Sequence, residues 1–236
     1  MFYLIPLIIG LVLLILFLYF RVKEKRVLAT YLKGLTSLCF IITAVVAYLL
    51  SKHPNNIFGV FVIIGLCFGL LGDVFLDIKF ITKKYEYLMT ALGFIAFGVG
   101  HIFYISGLFI SYFDFSRSVL YIIIPIIISI LGVVMSLLME KFTPIRYHKM
   151  LPFVIGYGFF LFFVTSMYWS TSIQSSFTHP TLLIMSISLV VFTLSDLILN
   201  NTYFSKGCNT PIFIISNHVL YYLAQFAIAI SLLFIL

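Results

Sequence analysis

Charged residues are scarce in this sequence, and their scarcity decides the class of protein. Asp, Glu, Lys and Arg make up only 9% of the 236 residues, whereas 63% of the residues are hydrophobic. A soluble domain has about 25% charged residues, and a globular core has no room for so many apolar side chains. The composition therefore excludes an ordinary soluble protein and predicts an all-α, polytopic integral membrane protein.

Cysteine is also rare. The three cysteines, Cys39, Cys67 and Cys208, show neither a metal-binding spacing nor the pattern of a disulfide framework. Two of them lie inside apolar runs, and we interpret the cysteines as small buried hydrophobic residues. The sequence predicts no metal site and no cofactor.

The sequence also lacks a basic patch, although its net charge is +7. The charges fall in short loops between apolar runs, where basic residues determine the topology of a membrane protein. We therefore expect no nucleic-acid partner.

Eight apolar runs are each long enough, at about 20 residues, to span the hydrocarbon core of a bilayer. They cover residues 2–20, 28–50, 57–78, 86–111, 118–139, 148–169, 180–200 and 212–236. The linkers, including 170–179, are short and polar, so we predict one bundle of eight helices and a single transmembrane domain over 1–236. The first run has no basic residue before it and no cleavage site after it, and we interpret it as a retained helix.

Basic residues are concentrated in alternate loops. Eleven Lys and Arg residues follow the first, third, fifth and seventh runs, and only two lie in the opposite loops. Because basic loops stay in the cytosol, both termini are predicted to be non-cytosolic. The compact loops and the lack of a targeting signal favour a bacterial inner (plasma) membrane.

Ionisable residues inside the runs are few, and each costs about 2.5–3.5 kcal/mol on the insertion scale. They are Lys33, Asp73, Asp77, His101, Asp196 and His218. Four helices carry a polar group at about the same depth, roughly 6–9 Å inside the cytosolic boundary at 1.5 Å per residue. These groups are Lys33, Asp73, Asp196 and the neighbouring Asn217 and His218. Such a layer predicts a polar cavity that opens toward the cytosolic leaflet.

Other polar residues extend or border this layer. Tyr222 and Gln225 continue the face of the eighth run inward from His218, and His101 lies deeper in the fourth run. Asp77 is one turn from Asp73, and we interpret it as a rim residue that reaches headgroup water. Two alternatives remain open: an ion pair of Lys33 and Asp73 that only joins helices, and a packing role for His101.

Four short motifs, taken together, resemble one family of membrane proteins. They are GDVFL at 72–76, HIFY at 101–104, LSDL at 194–197 with Asn200 following, and YYLAQ at 221–225. With Lys33 in the second run, they make the chain resemble the YhhN-like lysoplasmalogenase family, small eight-helix proteins of bacteria and animals. The resemblance covers nearly the whole chain. Asp77 and His218 depart from the family pattern, and Lys33 precedes Gly34 where the family often has Lys-Pro.

The resemblance implies hydrolysis of the vinyl ether bond of lysoplasmalogen, a lysophospholipid drawn from the bilayer. The products are a fatty aldehyde and glycerophosphoethanolamine or glycerophosphocholine. Protonation of the vinyl β-carbon gives an oxocarbenium ion, to which water adds. This chemistry suits one protonated and one ionised carboxyl, as in glycosidases, and we expect Asp73 and Asp196 to be the catalytic pair.

The remaining polar residues are predicted to bind the substrate on the side of the cytosolic leaflet. Lys33 either faces the ionised carboxylate or holds the substrate phosphate. Hydrogen bonds to the headgroup or to water are expected from Asn217, Tyr222 and Gln225. His101 and Tyr104 are expected to line the deeper part of the pocket, and His218 joins the substrate-binding set.

Two other classes of function use the same residues. One is a transporter for a lipid or small solute, since intramembrane acids and lysines are common in carriers. Carrier sites usually lie near the midplane between internal repeats, whereas this layer is off-centre and the sequence shows no repeat. The other is a zinc hydrolase with His101, His218 and carboxylates as ligands.

Overall fold

A computed structural model describes residues 2–54, 56–205, 207 and 209–235 of the chain. Eight of its helices are long and apolar enough to cross a membrane. They are α1 (Leu4–Val22), α2 (Arg26–Leu49), α3 (Ile57–Ile81), α4 (Glu86–Ser111), α5 (Leu120–Phe142), α6 (Leu151–Gln174), α7 (Pro180–Phe204) and α8 (Pro211–Ser231). No strand occurs in these ranges, which confirms the prediction of an all-helical integral membrane protein.

Most helix boundaries agree with the apolar runs, but α6 continues five residues beyond its predicted end at 169 and occupies half of the predicted linker 170–179. Its last turns are polar, yet their hydroxyls bond inside the bundle. Ser170 Oγ donates to the Tyr121 carbonyl oxygen at 2.6 Å, and Thr171 Oγ1 donates to that of Met167 at 2.9 Å. A prediction from hydropathy ends α6 too early because hydropathy does not take these hydrogen bonds into account.

The helices that carry the predicted polar layer are neighbours in space. Helix α2 packs against α3 and α8, α8 also contacts α3, and α7 packs along α8. Helix α6 joins this group through α4 and α7. Helix α5 lies at the periphery against α6, and among its residues only Pro125 and Ser129 are buried. The polar residues of α2, α3, α7 and α8 are therefore directed to a common interior.

Glycines bring α3 and α4 into close contact. A Cβ added at Gly65 would collide with the Tyr104 ring and lie 3.0 Å from the Gly100 carbonyl oxygen. A Cβ added at Gly100 would lie 2.9 Å from the Gly65 carbonyl oxygen. Membrane helices associate through such close packing of small residues. The contact fixes the position of α3, and with it the position of Asp73.

Gly100→Ala is expected to destabilise the protein by about 1–3 kcal/mol because the new methyl group meets a backbone carbonyl that cannot turn aside. Gly98→Ala in the same helix is the matched control, since nothing lies within 4 Å of its added Cβ. Thermal unfolding in detergent measures both variants. Helix propensity predicts unchanged or slightly raised stability for Gly98→Ala, and equal melting temperatures for the two variants would contradict the expectation.

The cysteines differ in their surroundings. Cys39 is buried as predicted, but Cys67 on α3 is exposed on the surface of the bundle, so the prediction of a buried hydrophobic residue is wrong there. That surface faces lipid in a membrane, where a weakly polar thiol is tolerated without burial in protein. Cys208 and Lys206, the basic residue predicted after the seventh run, lie outside the described residues.

Candidate active site

The polar layer lies deeper in the bundle than the apolar runs indicate. Asp73 precedes the end of α3 at Ile81 by eight residues, and Asp196 precedes the end of α7 at Phe204 by the same number. Lys33 follows the start of α2 by seven residues. At 1.5 Å per residue these groups lie about 10–12 Å from the helix ends. We refer to this end of the bundle, which carries the basic loops, as the basic end.

Asp73 is the centre of a buried hydrogen-bond cluster. Its Oδ2 accepts hydrogen bonds from Ser37 Oγ at 2.6 Å and from the Tyr221 hydroxyl at 2.7 Å. Its Oδ1 lies 3.2 Å from Lys33 Nζ. Donors from α2 and α8 thus satisfy a carboxylate that is only 2% exposed, as a buried polar group requires.

A second row of side chains holds the donors to Asp73 in place. Gln225 Nε2 donates to the Tyr221 hydroxyl oxygen at 3.0 Å. The Tyr222 hydroxyl lies 3.0 Å from Ser37 Oγ and donates to the Lys33 carbonyl oxygen at 3.2 Å. The sequence predicts that Tyr222 and Gln225 donate to substrate or water, whereas these bonds direct both side chains to protein groups.

Asp77 is not a rim residue. Its carboxylate is 1% exposed, and it pairs with Lys33 Nζ at 3.2 Å and with the Arg21 guanidinium. Thr30 Oγ1 also donates to it at 3.3 Å. The prediction that Asp77 reaches headgroup water is wrong because Arg21, at the end of α1, closes over it. Lys33 therefore bridges two carboxylates, Asp77 and Asp73, that lie one turn apart on α3.

Asp196 approaches the same interior from α7. The Tyr157 hydroxyl of α6 donates to its Oδ2. The preceding residue, Ser195, accepts two bonds from Asn217 Nδ2, one on its carbonyl oxygen at 2.7 Å and one on its hydroxyl at 3.2 Å. Asn217 thus ties α8 to α7 next to Asp196, and its amide donors are engaged with protein groups.

Asp73 and Asp196 line one small cavity, although 123 positions separate them in the sequence. Its volume is about 20 Å³, which is room for about one water molecule. The rest of its wall consists of Lys33, Leu76, Phe94, Phe97, Tyr157, Ser195, Leu199, Tyr203, Asn217, His218 and Tyr221. The structure therefore brings the two predicted catalytic carboxylates to a shared, water-sized space.

Three other predicted binding residues are His101, Tyr104 and His218, and of these only His218 lies in the wall of this cavity. Its Nδ1 donates to the Ile214 carbonyl oxygen at 2.8 Å, so that Nε2 is the acceptor when the ring is neutral. Tyr104 lies against Gly65 of α3, away from this wall. It contributes a carbonyl oxygen that accepts a hydrogen bond from the Tyr168 hydroxyl at 3.0 Å.

His101 contacts the site through Tyr157 and does not line the cavity wall. The two rings stack with centroids 5.5 Å apart and an interplanar angle of 20°. His101 is buried, and its Nδ1 has no hydrogen-bond partner among the described atoms. The ring supports the position of the tyrosine that bonds to Asp196.

Within the described ranges, no group of three or more His, Cys, Asp or Glu residues is placed to hold a metal ion. The rings of His101 and Phe192 pack edge to face with centroids 5.4 Å apart, and those of His218 and Phe17 do so at 4.9 Å. The described residues therefore do not form the set of ligands that a zinc hydrolase requires.

Several site residues are not evident from the sequence. Ser37 lies one turn beyond Lys33 on α2, and Tyr221 lies in the YYLAQ segment, so each carries a weak signal. Tyr157 is one of 15 tyrosines and carries none. In the sequence, Arg21 looks like one of the basic loop residues that determine topology. Its pairing with Asp77 of α3 is evident only in the structure.

Comparison with known proteins identifies the family. The model of the YhhN family matches residues 28–232, which run from the first turn of α2 to the end of α8. The chain belongs to the YhhN family. The YhhN match includes all four quoted motifs, whereas α1, with Arg21, precedes it. No curated protein and no solved structure matches the chain. Membership in the YhhN family, known for lysoplasmalogenase, supports the coarse interpretation of a membrane-embedded hydrolase.

Proposed function

We propose that the protein is a lysoplasmalogenase-like hydrolase that cleaves the vinyl ether bond of a lysophospholipid. The observation that carries the proposal is the shared, water-sized cavity lined by Asp73 and Asp196 inside the bundle. Membership in the YhhN family supports it. Water is the second substrate, and a fatty aldehyde and the glycerophospho-headgroup are the products.

The reaction proceeds in three steps. A carboxylic acid transfers its proton to the vinyl β-carbon, and the carbon attached to the ether oxygen becomes part of an oxocarbenium ion. A carboxylate stabilises this cation and orients a water molecule, which adds to the same carbon and loses a proton. The resulting hemiacetal then breaks its bond to the glycerol oxygen, which takes up a proton as the aldehyde leaves.

The different surroundings of Asp73 and Asp196 support different roles for the two carboxyls. Asp73 faces the Lys33 ammonium and accepts hydrogen bonds from Ser37 and Tyr221. Such partners favour a carboxylate, so we assign to Asp73 the stabilisation of the cation. Asp196 accepts one bond from Tyr157, and the ion pairs of the described residues do not include it. We assign the proton donor to Asp196.

The substrate reaches this cavity from the basic end. The catalytic cavity shares Leu199, Tyr203, Asn217 and His218 with a larger cavity of about 180 Å³ at that end. Since the catalytic cavity holds about one water, these side chains must move to admit a lipid. The basic loops support an orientation in which this end faces the cytosolic leaflet of a bacterial inner membrane. We expect a reporter fused to the C-terminus to be non-cytosolic, and a cytosolic reporter would overturn this orientation.

The decisive experiment compares two lipids that differ in one double bond. Purified protein is incubated with lysoplasmalogen and, separately, with the saturated-ether analogue, and released aldehyde is measured. We expect aldehyde only from the vinyl ether, because the saturated ether has no β-carbon that can be protonated. Absence of aldehyde from both lipids, together with protein-dependent movement of the lipid across vesicle membranes, would reject the enzyme in favour of a transporter.

A further inference from the structure

The cavity at the basic end has three charged residues in its wall. Its charged residues lie where α1 meets α2: Arg21 in the last turn of α1, Glu24 in the connection and Arg26 at the start of α2. The other lining residues are Val22, Phe80, Leu199, Thr202, Tyr203, Asn209, Pro211, Ile214, Asn217 and His218. We call this space the basic-end cavity. Its wall contains two arginines and one glutamate together with polar and apolar side chains.

Arg21 lines this cavity and carries a donor without a partner among the described atoms. The residue is 9% exposed, and one of its terminal nitrogens pairs with Asp77, but its Nε has no hydrogen-bond partner among the described atoms. Its guanidinium lies over the Phe80 ring, 4.5 Å from the centroid. A buried donor without a partner is costly, and a planar guanidinium suits the oxygens of a phosphate. The guanidinium of Arg21, which is not fully used by protein partners, is therefore suited to an anionic ligand in the cavity.

A second guanidinium lies at the same wall. Arg26 donates from one terminal nitrogen to the Phe80 carbonyl oxygen at 3.3 Å, which holds the side chain across the end of α3. Lys33 is less suited to a ligand phosphate, because its ammonium already lies 3.2 Å from both Asp73 and Asp77. The cations available to an anion are therefore Arg21 and Arg26.

Glu24 adds the opposite charge. Its φ of 57° lies in the left-handed region, and the Arg26 amide donates to its carbonyl oxygen at 2.9 Å. Glu24 lines the cavity, and its carboxylate takes part in none of the ion pairs found among the described residues. The wall thus offers cationic and anionic groups together, which matches a zwitterion better than a simple anion.

The spacing between the Arg21–Asp77 pair and the catalytic Asp73 fits a glycerophospholipid. Asp77, the partner of Arg21, lies four residues from Asp73 on α3, which is about 6 Å along the helix. In a lysolipid the phosphate and the vinyl ether are joined by the short glycerol backbone, so both groups fit within one turn or two of the helix. The two cavities also share Tyr203 and His218 in their walls.

We propose that the basic-end cavity binds the phosphoethanolamine headgroup of the lysolipid, with the phosphodiester on Arg21 and Arg26 and the primary ammonium on Glu24. The assignment rests on the proposed function for the identity of the lipid. All three residues precede residue 28, where the YhhN match begins. The family match therefore does not include the three residues of the proposed headgroup site.

Binding of non-hydrolysable ligands tests the headgroup site apart from catalysis. The saturated-ether lysolipid with a phosphoethanolamine headgroup is titrated into protein in nanodiscs, and a phosphomethanol analogue is titrated in parallel. Arg26→Gln is expected to weaken binding of both lipids about tenfold, since it removes a charge-assisted bond to phosphate. Lys25→Gln, in the same connection but outside the wall, is the matched control and should stay within about twofold.

Glu24→Gln separates the ammonium from the phosphate. It is expected to weaken binding of the phosphoethanolamine lipid several-fold and to leave the phosphomethanol lipid unchanged. Equal effects on both lipids, or an Arg26→Gln variant that binds like Lys25→Gln, would overturn the assignment. Inorganic phosphate that competes as strongly as glycerophosphoethanolamine would indicate a free-phosphate site and also overturn it. Headgroup binding without aldehyde release from the vinyl ether would reject the proposed reaction and retain this site.

Discussion

Asp73→Asn is expected to reduce aldehyde release from lysoplasmalogen by about 10²–10³-fold, the range typical of removing one electrostatic stabiliser of a transition state. The amide oxygen still accepts hydrogen bonds from Ser37 and Tyr221, but the variant lacks the negative charge that stabilises the oxocarbenium ion. Lys33 keeps Asp77 as an ion partner at 3.2 Å, so the protein should fold. Asp196→Asn is expected to lose activity to a similar extent, because an amide does not supply the proton.

The measurement is the initial rate of aldehyde release, with thermal unfolding recorded on the same preparations. Asp114→Asn is the matched control, since Asp114 is an exposed residue between α4 and α5 that bonds to Ser116 and Arg117. Its rate should equal that of the unmodified protein. A fully active Asn variant at Asp73 or Asp196 would refute the catalytic pair.

Lys33→Met is expected to have the largest effect on stability, a loss of about 3–5 kcal/mol, as for removal of one partner from a buried ion pair. Lys33 Nζ lies 3.2 Å from Asp73 and from Asp77, and these carboxylates are 2% and 1% exposed. Without the ammonium, Arg21 still faces Asp77, but Asp73 keeps only hydroxyl donors. Two carboxylates one turn apart would then lie in a low-dielectric interior without the cation between them.

Unfolding by heat or denaturant in detergent measures this effect. Lys33→Arg retains the charge and is expected to recover part of the lost stability, whereas Lys25→Met at an exposed position should change it by no more than about 0.5 kcal/mol. The double variant Arg21→Leu/Asp77→Leu removes both members of an ion pair. It should lose less stability than Arg21→Leu alone or Asp77→Leu alone, because no charge is left unpaired. A Lys33→Met protein as stable as the unmodified one would contradict the bridging role.

The candidate site was only partly predictable. The apolar runs predict that Asp73 and Asp196 lie inside their helices near the same end of the bundle, since insertion constrains each segment separately, but they underestimate the distance of both residues from the helix ends. The surroundings of Asp77 could not be predicted in this way. Its distance from the helix end suggests headgroup water, but its exposure depends on Arg21 of another helix, which no count along α3 reveals. The engaged donors of Tyr222 and Gln225 likewise depend on which side chains face them across the bundle.

The sequence by itself determined the class of protein, the number of membrane helices and the scarcity of ionisable groups within them. These follow from the cost of placing polar groups in hydrocarbon, a cost that each segment meets on its own. Only the tertiary structure decided that Asp73 and Asp196 share a cavity, that Lys33 bridges Asp73 and Asp77, and that Arg21 lines the basic-end cavity. Those facts depend on how the helices are arranged around one another, which is governed by close packing and by hydrogen bonds between residues far apart in the chain.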